Sequence, residues 1–332
     1  MERLWQVRKM LVAVLLIFSL AFAAAGCGAK DAANNPASEA SPAPAASTAL
    51  PETAAPAPAF PVTVTDSTGT EIKMESAPQR IVSILPSATE IAFSLGLGEK
   101  IVGVSDWDNY PEEVKNIEKI GGLDVNTEKV VSLRPDLILA NTSNGKSIDH
   151  LRKLGLKVVV LDADNLAQTF DTIRAIAKLT GTTAAAEAVI GKMEKQRDEI
   201  VNAVKDIPND KRKKVWIEVD PTLYTAGKNT FLNELVGLAG GINIAADVSG
   251  WAQVNEEKII QANPDAIFIT YGGFIKDAVE QVYNRKTWSN VKAIQNKQVF
   301  IVDSDMSTRP GPRLTEALKI IAEKLYPEKF TK

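Results

Sequence analysis

The segment EKVVSLRPDLIL at residues 128–139 returns as EKIIQANPDAIF at residues 257–268, without a gap and at an offset of 129 positions. In each copy a glutamate begins a helical stretch, where its charge favours the positive end of the helix. Pro-Asp then turns the chain into an apolar strand. A repeat of this kind predicts that the chain contains two structurally similar halves.

Short aliphatic runs alternate with segments of helical periodicity on both sides of this repeat. Near-continuous apolar strands separated by helices are typical of buried, mainly parallel sheets. Seven runs are predicted as strands, at residues 80–84, 100–104, 136–140, 157–161, 214–219, 265–270 and 298–302. We therefore expect an α/β fold of two similar lobes.

A long amphipathic helix is predicted between the two halves. Gly181 ends the preceding helix, and the new one carries apolar residues such as Met193 and Ile200 on one face and charged residues on the other. About 22 residues at 1.5 Å rise give a rod of about 33 Å. The predicted organisation is an N-terminal lobe (61–181), a connecting helix (182–206) and a C-terminal lobe (207–332).

The N-terminal segment has the features of a secretion signal. Basic residues precede a short apolar run, and residues 24–27, Ala-Ala-Gly-Cys, resemble the lipobox of bacterial lipoproteins. We expect a signal peptide over 1–26 and acylation of Cys27, which would tether the protein to a membrane outside the cytoplasm through lipid alone. Residues 27–60 are predicted to be a flexible linker, because 19 of the 33 residues from 28 to 60 are Ala or Pro. A long spacer favours the outer face of a Gram-positive cell membrane.

Composition excludes several classes of protein. With 38 basic and 41 acidic residues the formal net charge is -3, so no nucleic-acid partner is expected. One cysteine and one histidine argue against disulfide frameworks, Cys/His zinc sites and iron–sulfur clusters. No cofactor is predicted, and His150 is expected to be an exposed helix residue.

Four stretches in order carry a resemblance to a known family: RIVSILPSATEI (80–91), GVSDWDNYPEE (103–113), GGLDVNTEKV (121–130) and WAQVNEEKI (251–259). Together they resemble the substrate-binding proteins of ABC importers for cobalamin and ferric siderophores, over about Val62 to Leu325. The resemblance implies lobes that hinge little about the helix and hold the ligand between them. We expect the protein to be a monomer. It also implies docking to an ABC permease dimer with its ATPase through one glutamate per lobe, at Glu128 and Glu257.

The ligand is expected at the loops that leave the carboxyl ends of the strands. The candidate contacts are Ser87, Trp107, Tyr110, Asn141, Tyr224, Trp251, Asp305, Met306 and Arg309. The resemblance to the cobalamin-binding branch puts Trp107, Tyr224, Trp251 and Asp305 at ligand contacts, the three aromatics being expected in loops. Other interpretations remain open: each aromatic as core, Ser87 or Thr89 as a helix N-cap, and Arg309 as the partner either of Asp305 or of an anionic group on the ligand.

The ligand and two rival functions also remain open. Gly122 and Asn141 depart from the cobalamin branch, which favours an aromatic residue at each, so a ferric siderophore or haem is the alternative to cobalamin. The absence of a His/His/acid set argues against bare zinc or manganese ions.

No phosphate-binding or nucleophile motif supports an enzyme. A ligand sensor without transport would keep the cleft but would not need both docking glutamates.

Overall fold

The computed structural model describes residues 59–122 and 124–331. The predicted signal peptide, Cys27 and all but the last two linker residues lie outside the described part. Within it, two four-stranded parallel sheets and a long helix confirm the predicted α/β architecture.

The N-terminal lobe contains six strands and four helices. The strands are β1 (Val62–Thr65), β2 (Glu71–Met74), β3 (Ile81–Ser83), β4 (Ile101–Val104), β5 (Leu137–Ala140) and β6 (Val158–Val160). The helices are α1 (Pro86–Ser94), α2 (Thr127–Ser132), α3 (Gly145–Lys153) and α4 (Leu166–Thr180). β1 and β2 form an antiparallel hairpin, and the parallel sheet has the order β4-β3-β5-β6.

The connecting helix α5 (Thr183–Val204) follows Gly181, whose left-handed φ of 78° ends α4 as predicted. The strands of the C-terminal lobe are β7 (Lys214–Glu218), β8 (Tyr224–Ala226), β9 (Ile242–Asn243), β10 (Trp251–Gln253), β11 (Ala266–Ile269) and β12 (Val299–Ile301). Its helices are α6 (Phe231–Leu238), α7 (Glu256–Ala262), α8 (Ala278–Tyr283), α9 (Lys292–Gln295), α10 (Ser304–Thr308) and α11 (Leu314–Leu325). His150 lies exposed in α3, as expected.

The two parallel sheets have the same topology. The C-terminal sheet has the order β12-β11-β7-β9, so both sheets read 2-1-3-4 when their strands are numbered along the chain. The repeated Pro-Asp plays one role in both lobes. The Asp136 carboxylate accepts the backbone N–H of Arg80 at 3.0 Å, and Asp265 accepts that of Lys214 at 2.8 Å. Each aspartate thereby ties the start of its own strand to the start of the neighbouring one.

A single apolar core runs from one lobe to the other through α5. Ile91 of the N-terminal lobe, Ile190 and Met193 of the connecting helix, and Phe231 and Leu318 of the C-terminal lobe all belong to it. Rotating one lobe away from the other would expose part of this core to water, which opposes a wide hinge motion.

Candidate functional site

The lobes meet at a buried ion cluster that the sequence did not reveal. Glu90 of α1 is only 4% exposed and accepts hydrogen bonds from two arginines of the opposite lobe. Arg309 Nη1 lies 3.0 Å from Glu90 Oε1, and Arg313 donates to both carboxylate oxygens at 2.7 and 2.8 Å. Burial alone would lower the pKa of Arg313, but its bonds to Glu90 outweigh that effect and raise it. Glu90, Arg309 and Arg313 therefore form what we call the interlobe clasp.

The guanidinium of Arg309 is occupied by groups of the protein. Besides Glu90 it donates to Asn109 Oδ1 at 2.9 Å, to the Trp107 carbonyl at 3.2 Å and to Asp305 Oδ1 at 2.7 Å. Asn109 Nδ2 also donates to Asp305 Oδ2 at 2.6 Å. Of the two roles open for Arg309, the described geometry therefore contains the pairing with Asp305, and a ligand anion would have to displace one of these acceptors.

Trp107 is presented at the end of β4 by the N-terminal lobe. Its side chain is 63% exposed, so it has no role in the core. A Cβ added at Gly122 would lie 2.9 Å from Trp107 Nε1, so the absence of a side chain at Gly122 makes room for the indole. Position 122, where the cobalamin branch favours an aromatic residue, is thus a glycine that leaves space for the aromatic ring of Trp107.

Two of the predicted contacts lie on the connecting-helix side of the clasp. The Arg313 guanidinium stacks 4.0 Å from the centre of the Tyr110 ring, and Tyr110 helps to line a cavity of about 370 Å³ together with α1 and α5. Met306 lines an adjacent groove with Lys195 and other residues of α5 and α11. Trp107 lines neither of these two grooves.

Ser87 and Asn141 are engaged in local structure. Ser87 is buried inside the first turn of α1, whose N-cap is Leu85, so the N-cap expected at Ser87 or Thr89 is wrong. Proline at the first helical position replaces side-chain capping there. The Asn141 backbone N–H donates to Asn144 Oδ1 at 3.0 Å at the turn that follows β5.

Tyr224 and Trp251 lie in strands and not in loops, which corrects the prediction. They belong to the antiparallel ribbon formed by β8 and β10, and Tyr224 Oη donates to the Trp251 carbonyl at 3.1 Å. The Trp251 ring packs edge-on against the Phe231 ring, with the two ring centres 5.4 Å apart, and Trp251 stays partly exposed. The sequences of these strands, Tyr-Thr-Ala and Trp-Ala-Gln, contain no aliphatic run, so the sequence gives no strand signal there.

Asp108 is a buried acid beside Trp107 that sequence reasoning did not select. Its Oδ2 accepts the Ser105 hydroxyl at 2.5 Å, while Oδ1 has no hydrogen-bond partner within the described residues. Burial raises the pKa of the Asp108 carboxyl, and the bond from Ser105 offsets this only in part. The hydrogen bond between Ser105 and Asp108 thus stabilises the segment that carries Trp107.

Glu128 and Glu257 occupy equivalent positions in the two lobes. Each is the second residue of a short helix, α2 or α7, behind an asparagine N-cap whose side chain accepts a backbone N–H, at 3.0 Å for Asn126 and 2.8 Å for Asn255. Both glutamates are exposed, and neither forms an ion pair with another described residue. The structure thus presents a matched pair of free carboxylates, one from each lobe.

Within residues 59–122 and 124–331, no group of three or more His, Cys, Asp or Glu side chains is arranged to hold a metal ion. The helices of the same part include none with the length and apolarity needed to span a membrane.

Comparison with known proteins agrees with this architecture. Residues 81–306 match the model of the periplasmic binding protein family. An uncharacterised ABC transporter substrate-binding lipoprotein of Bacillus subtilis, YvrC, is 41% identical over 82% of this chain and 87% of its own length. A cobalamin-binding protein of Halobacterium salinarum is 33% identical over 80% of this chain and 74% of its own length.

A solved structure shares both the fold and much of the sequence. It is that of a possible iron-binding (periplasmic solute-binding) protein of Staphylococcus epidermidis, with 37% identity and a TM-score of 0.67, and the match covers 76% of this chain and all of that one. The chain therefore belongs to the periplasmic binding protein family, as a non-enzymatic substrate-binding protein of an ABC transporter, in the class that binds vitamin B12, iron or haem compounds.

Proposed function

We propose that this protein captures cobalamin or a related corrinoid between its lobes and delivers it to an ABC permease. The observation that carries this choice is the state of the interlobe arginines. The two carboxylates of Glu90 and Asp305 balance the charges of Arg309 and Arg313, so the seam offers aromatic surface and not free guanidinium. Ferric catecholate siderophores carry net negative charge and need cations, whereas cyanocobalamin carries no net charge.

The aromatic side chains support a large, ring-rich ligand. Trp107 comes from the N-terminal lobe, and Tyr224 and Trp251 come from the C-terminal ribbon. Such rings supply much contact area at little entropic cost. The related protein of Halobacterium salinarum, named for cobalamin binding, supports the same choice.

A ferric siderophore or haem is the second candidate. It is favoured by the likeness to the Staphylococcus epidermidis protein, whose description refers to iron. Iron held by a siderophore or a porphyrin arrives with its own ligands, so this alternative requires no metal site in the protein.

Calorimetric titration decides between them. The chain from residue 27 onward, with Cys27→Ser to prevent acylation, is titrated with cyanocobalamin, haem and a panel of ferric siderophores. We expect submicromolar binding of cyanocobalamin alone. Trp107→Ala and Trp251→Ala should each weaken it by about 1–3 kcal/mol, whereas Leu154→Ala, an exposed residue after α3, should not. Binding of a siderophore or haem instead would reject the corrinoid.

We further propose that Cys27 is the lipid attachment site, that residues 28–60 are a spacer on the outer face of the membrane, and that Glu128 and Glu257 dock to arginines of the permease. Charge pairs of this kind favour fast encounter and correct register. In a reconstituted transporter the double variant Glu128→Ala/Glu257→Ala should bind ligand normally but fail to stimulate transport. Normal transport by that variant would refute the docking role, and Glu71→Ala serves as an exposed control.

A further inference from the structure

The most exposed large apolar side chain among the described residues is Phe274, at 75% exposure, followed by Trp107. Phe274 lies in the loop between β11 and α8. The repeat offset of 129 equates Thr270, which begins this loop, with Asn141, which begins the loop after β5. The Phe274 loop is therefore the C-terminal counterpart of a loop already expected to face the ligand.

The loop is built to hold Phe274 outward. The backbone N–H groups of Phe274 and Ile275 both donate to the Tyr271 carbonyl, at 3.0 and 3.1 Å. Tyr271 and Ile275, on either side, point inward and pack in the core of the C-terminal lobe. Because Tyr271 and Ile275 pack in the core, the loop holds the Phe274 ring in an exposed position.

A buried polar cluster supports the inward anchor. Glu218 is fully buried at the end of β7 and accepts the Tyr271 hydroxyl at 2.5 Å, Trp216 Nε1 at 3.0 Å and the Arg285 guanidinium at 2.5 and 2.7 Å. Burial and the bond to Glu218 raise the pKa of Tyr271, so its hydroxyl remains a donor at neutral pH.

The sheet itself does not require this charge. Glu218 lies four residues after Lys214, the basic residue that begins its strand. The N-terminal lobe has the buried, apolar Ile84 at the same distance from Arg80. A buried carboxylate is costly unless it is paired and hydrogen-bonded, and the partners of Glu218 include Tyr271 of the Phe274 loop and Arg285, which follows α8.

Contacts place this loop beside the interlobe seam. A Cβ added at Gly272 would lie within 2.6 Å of the Ile301 side chain, so the loop packs against the last residue of β12. Four residues after Ile301, Asp305 meets Asn109 of the other lobe. Asn109 is two residues from Trp107, so neighbouring residues connect the Phe274 loop, by way of β12 and Asp305, to the segment of the other lobe that carries Trp107.

We propose that Phe274 is a further ligand-contacting residue, which covers a flat ring system from the C-terminal lobe while Trp107 covers it from the N-terminal lobe. Tyr271 and Glu218 are positioning residues for Phe274. The inference rests on the proposed function, since it requires a ligand between the lobes, and it restricts that ligand to a macrocycle or another extended planar ring system.

The test measures binding of cyanocobalamin and of haem to the full chain carrying Cys27→Ser. Phe274→Ala should raise the Kd about tenfold, roughly the contribution of one aromatic contact, without changing the urea midpoint, and Phe274→Trp should retain affinity. Unchanged affinity in Phe274→Ala would overturn the proposed contact, and it would do so even if the variant transported ligand more slowly. If the parent chain binds neither probe, the proposed function falls and this inference falls with it.

A double-mutant cycle tests the positioning role. Tyr271→Phe should weaken binding about threefold in the parent chain and have no effect in the Phe274→Ala background, because Tyr271 acts through Phe274. An equal effect in both backgrounds would overturn the positioning role and leave Tyr271 as a purely structural residue.

Discussion

The two lobes are alike at one end of their sheets and different at the other. At the amino ends of the strands, Arg80 Nε donates to the Leu133 carbonyl at 2.8 Å, and Lys214 Nζ donates to the equivalent Ala262 carbonyl at 3.3 Å. At the carboxyl ends, β3 of the N-terminal lobe leads to buried Ile84, and β7 of the C-terminal lobe ends at charged Glu218.

This difference shows which part of the repeat is structural. Contacts at the amino ends join a strand to a helix and serve any sheet of this topology, so both copies retain them. The carboxyl ends face the region between the lobes, where ligands bind in open α/β sheets. The copies are therefore free to diverge there.

The largest effect is expected at the interlobe clasp, which neither lobe can form alone. Glu90→Ala should lower the free energy of unfolding by about 3–5 kcal/mol, because it leaves two mostly buried arginines without their shared carboxylate. Urea unfolding measures the loss. Glu112→Ala, which removes an exposed pair with Lys115, should change it by less than about 0.5 kcal/mol. A loss below about 1 kcal/mol for Glu90→Ala would mean that the clasp does not hold the lobes together.

The ion pair inside the N-terminal lobe should matter less and depend on pH. Asp66 accepts the Arg152 guanidinium and the backbone N–H groups of Val160 and Thr70. Burial alone would raise the pKa of Asp66, but its hydrogen bonds, led by that from Thr68, outweigh burial and lower it. Its stabilising effect is therefore present at neutral pH and is lost as the pH falls below about 4 through the folded-state pKa.

Asp66→Asn should accordingly cost about 3 kcal/mol at pH 7 and clearly less at pH 3. Urea unfolding of both proteins at the two pH values provides the comparison. The same cost at both values would show that the carboxylate charge contributes nothing and that the loss comes from replacing a hydrogen-bond acceptor by an amide donor.

The two glutamates that we propose to dock to the permease test whether the lobes are equivalent in function. Glu128→Ala and Glu257→Ala, made singly, should each weaken binding to the permease by a similar factor, about tenfold, because the carboxylates have the same position, exposure and N-cap. Binding to the reconstituted permease is the readout. A large effect from one variant and none from the other would show that only one lobe docks through its glutamate.

The smallest effect concerns a backbone position that the lobes share. Arg134 and its counterpart Asn263 both precede the repeated proline with positive φ, 46° and 50°. Asparagine tolerates this conformation better than arginine. In urea unfolding, Arg134→Asn should stabilise the protein by about 0.5 kcal/mol, and Asn263→Arg should destabilise it by more, because it also removes the acceptor of the Lys292 backbone N–H. Changes of the same sign would contradict this account.

Local patterns were enough to predict most of the fold. All seven predicted strands are found within one or two residues, and the connecting helix spans Thr183–Val204 inside the predicted 182–206. The missed strands are β9, the β1–β2 hairpin and the β8–β10 ribbon, each with two to four residues per strand. The predicted strands lie in nearly continuous aliphatic runs, whereas the missed ones mix polar and apolar residues over two to four positions and so resemble loops in sequence.

The sequence by itself determined the duplicated architecture, the paired positions of Glu128 and Glu257 and the absence of a Cys/His metal site, because each depends on residue spacing or composition. Only the tertiary structure decided that Glu90 meets Arg309 and Arg313, more than 200 positions away, and that Tyr110 and Met306 line grooves with the connecting helix. These features arise where the two lobes pack against each other, and no local pattern encodes which side chains meet there.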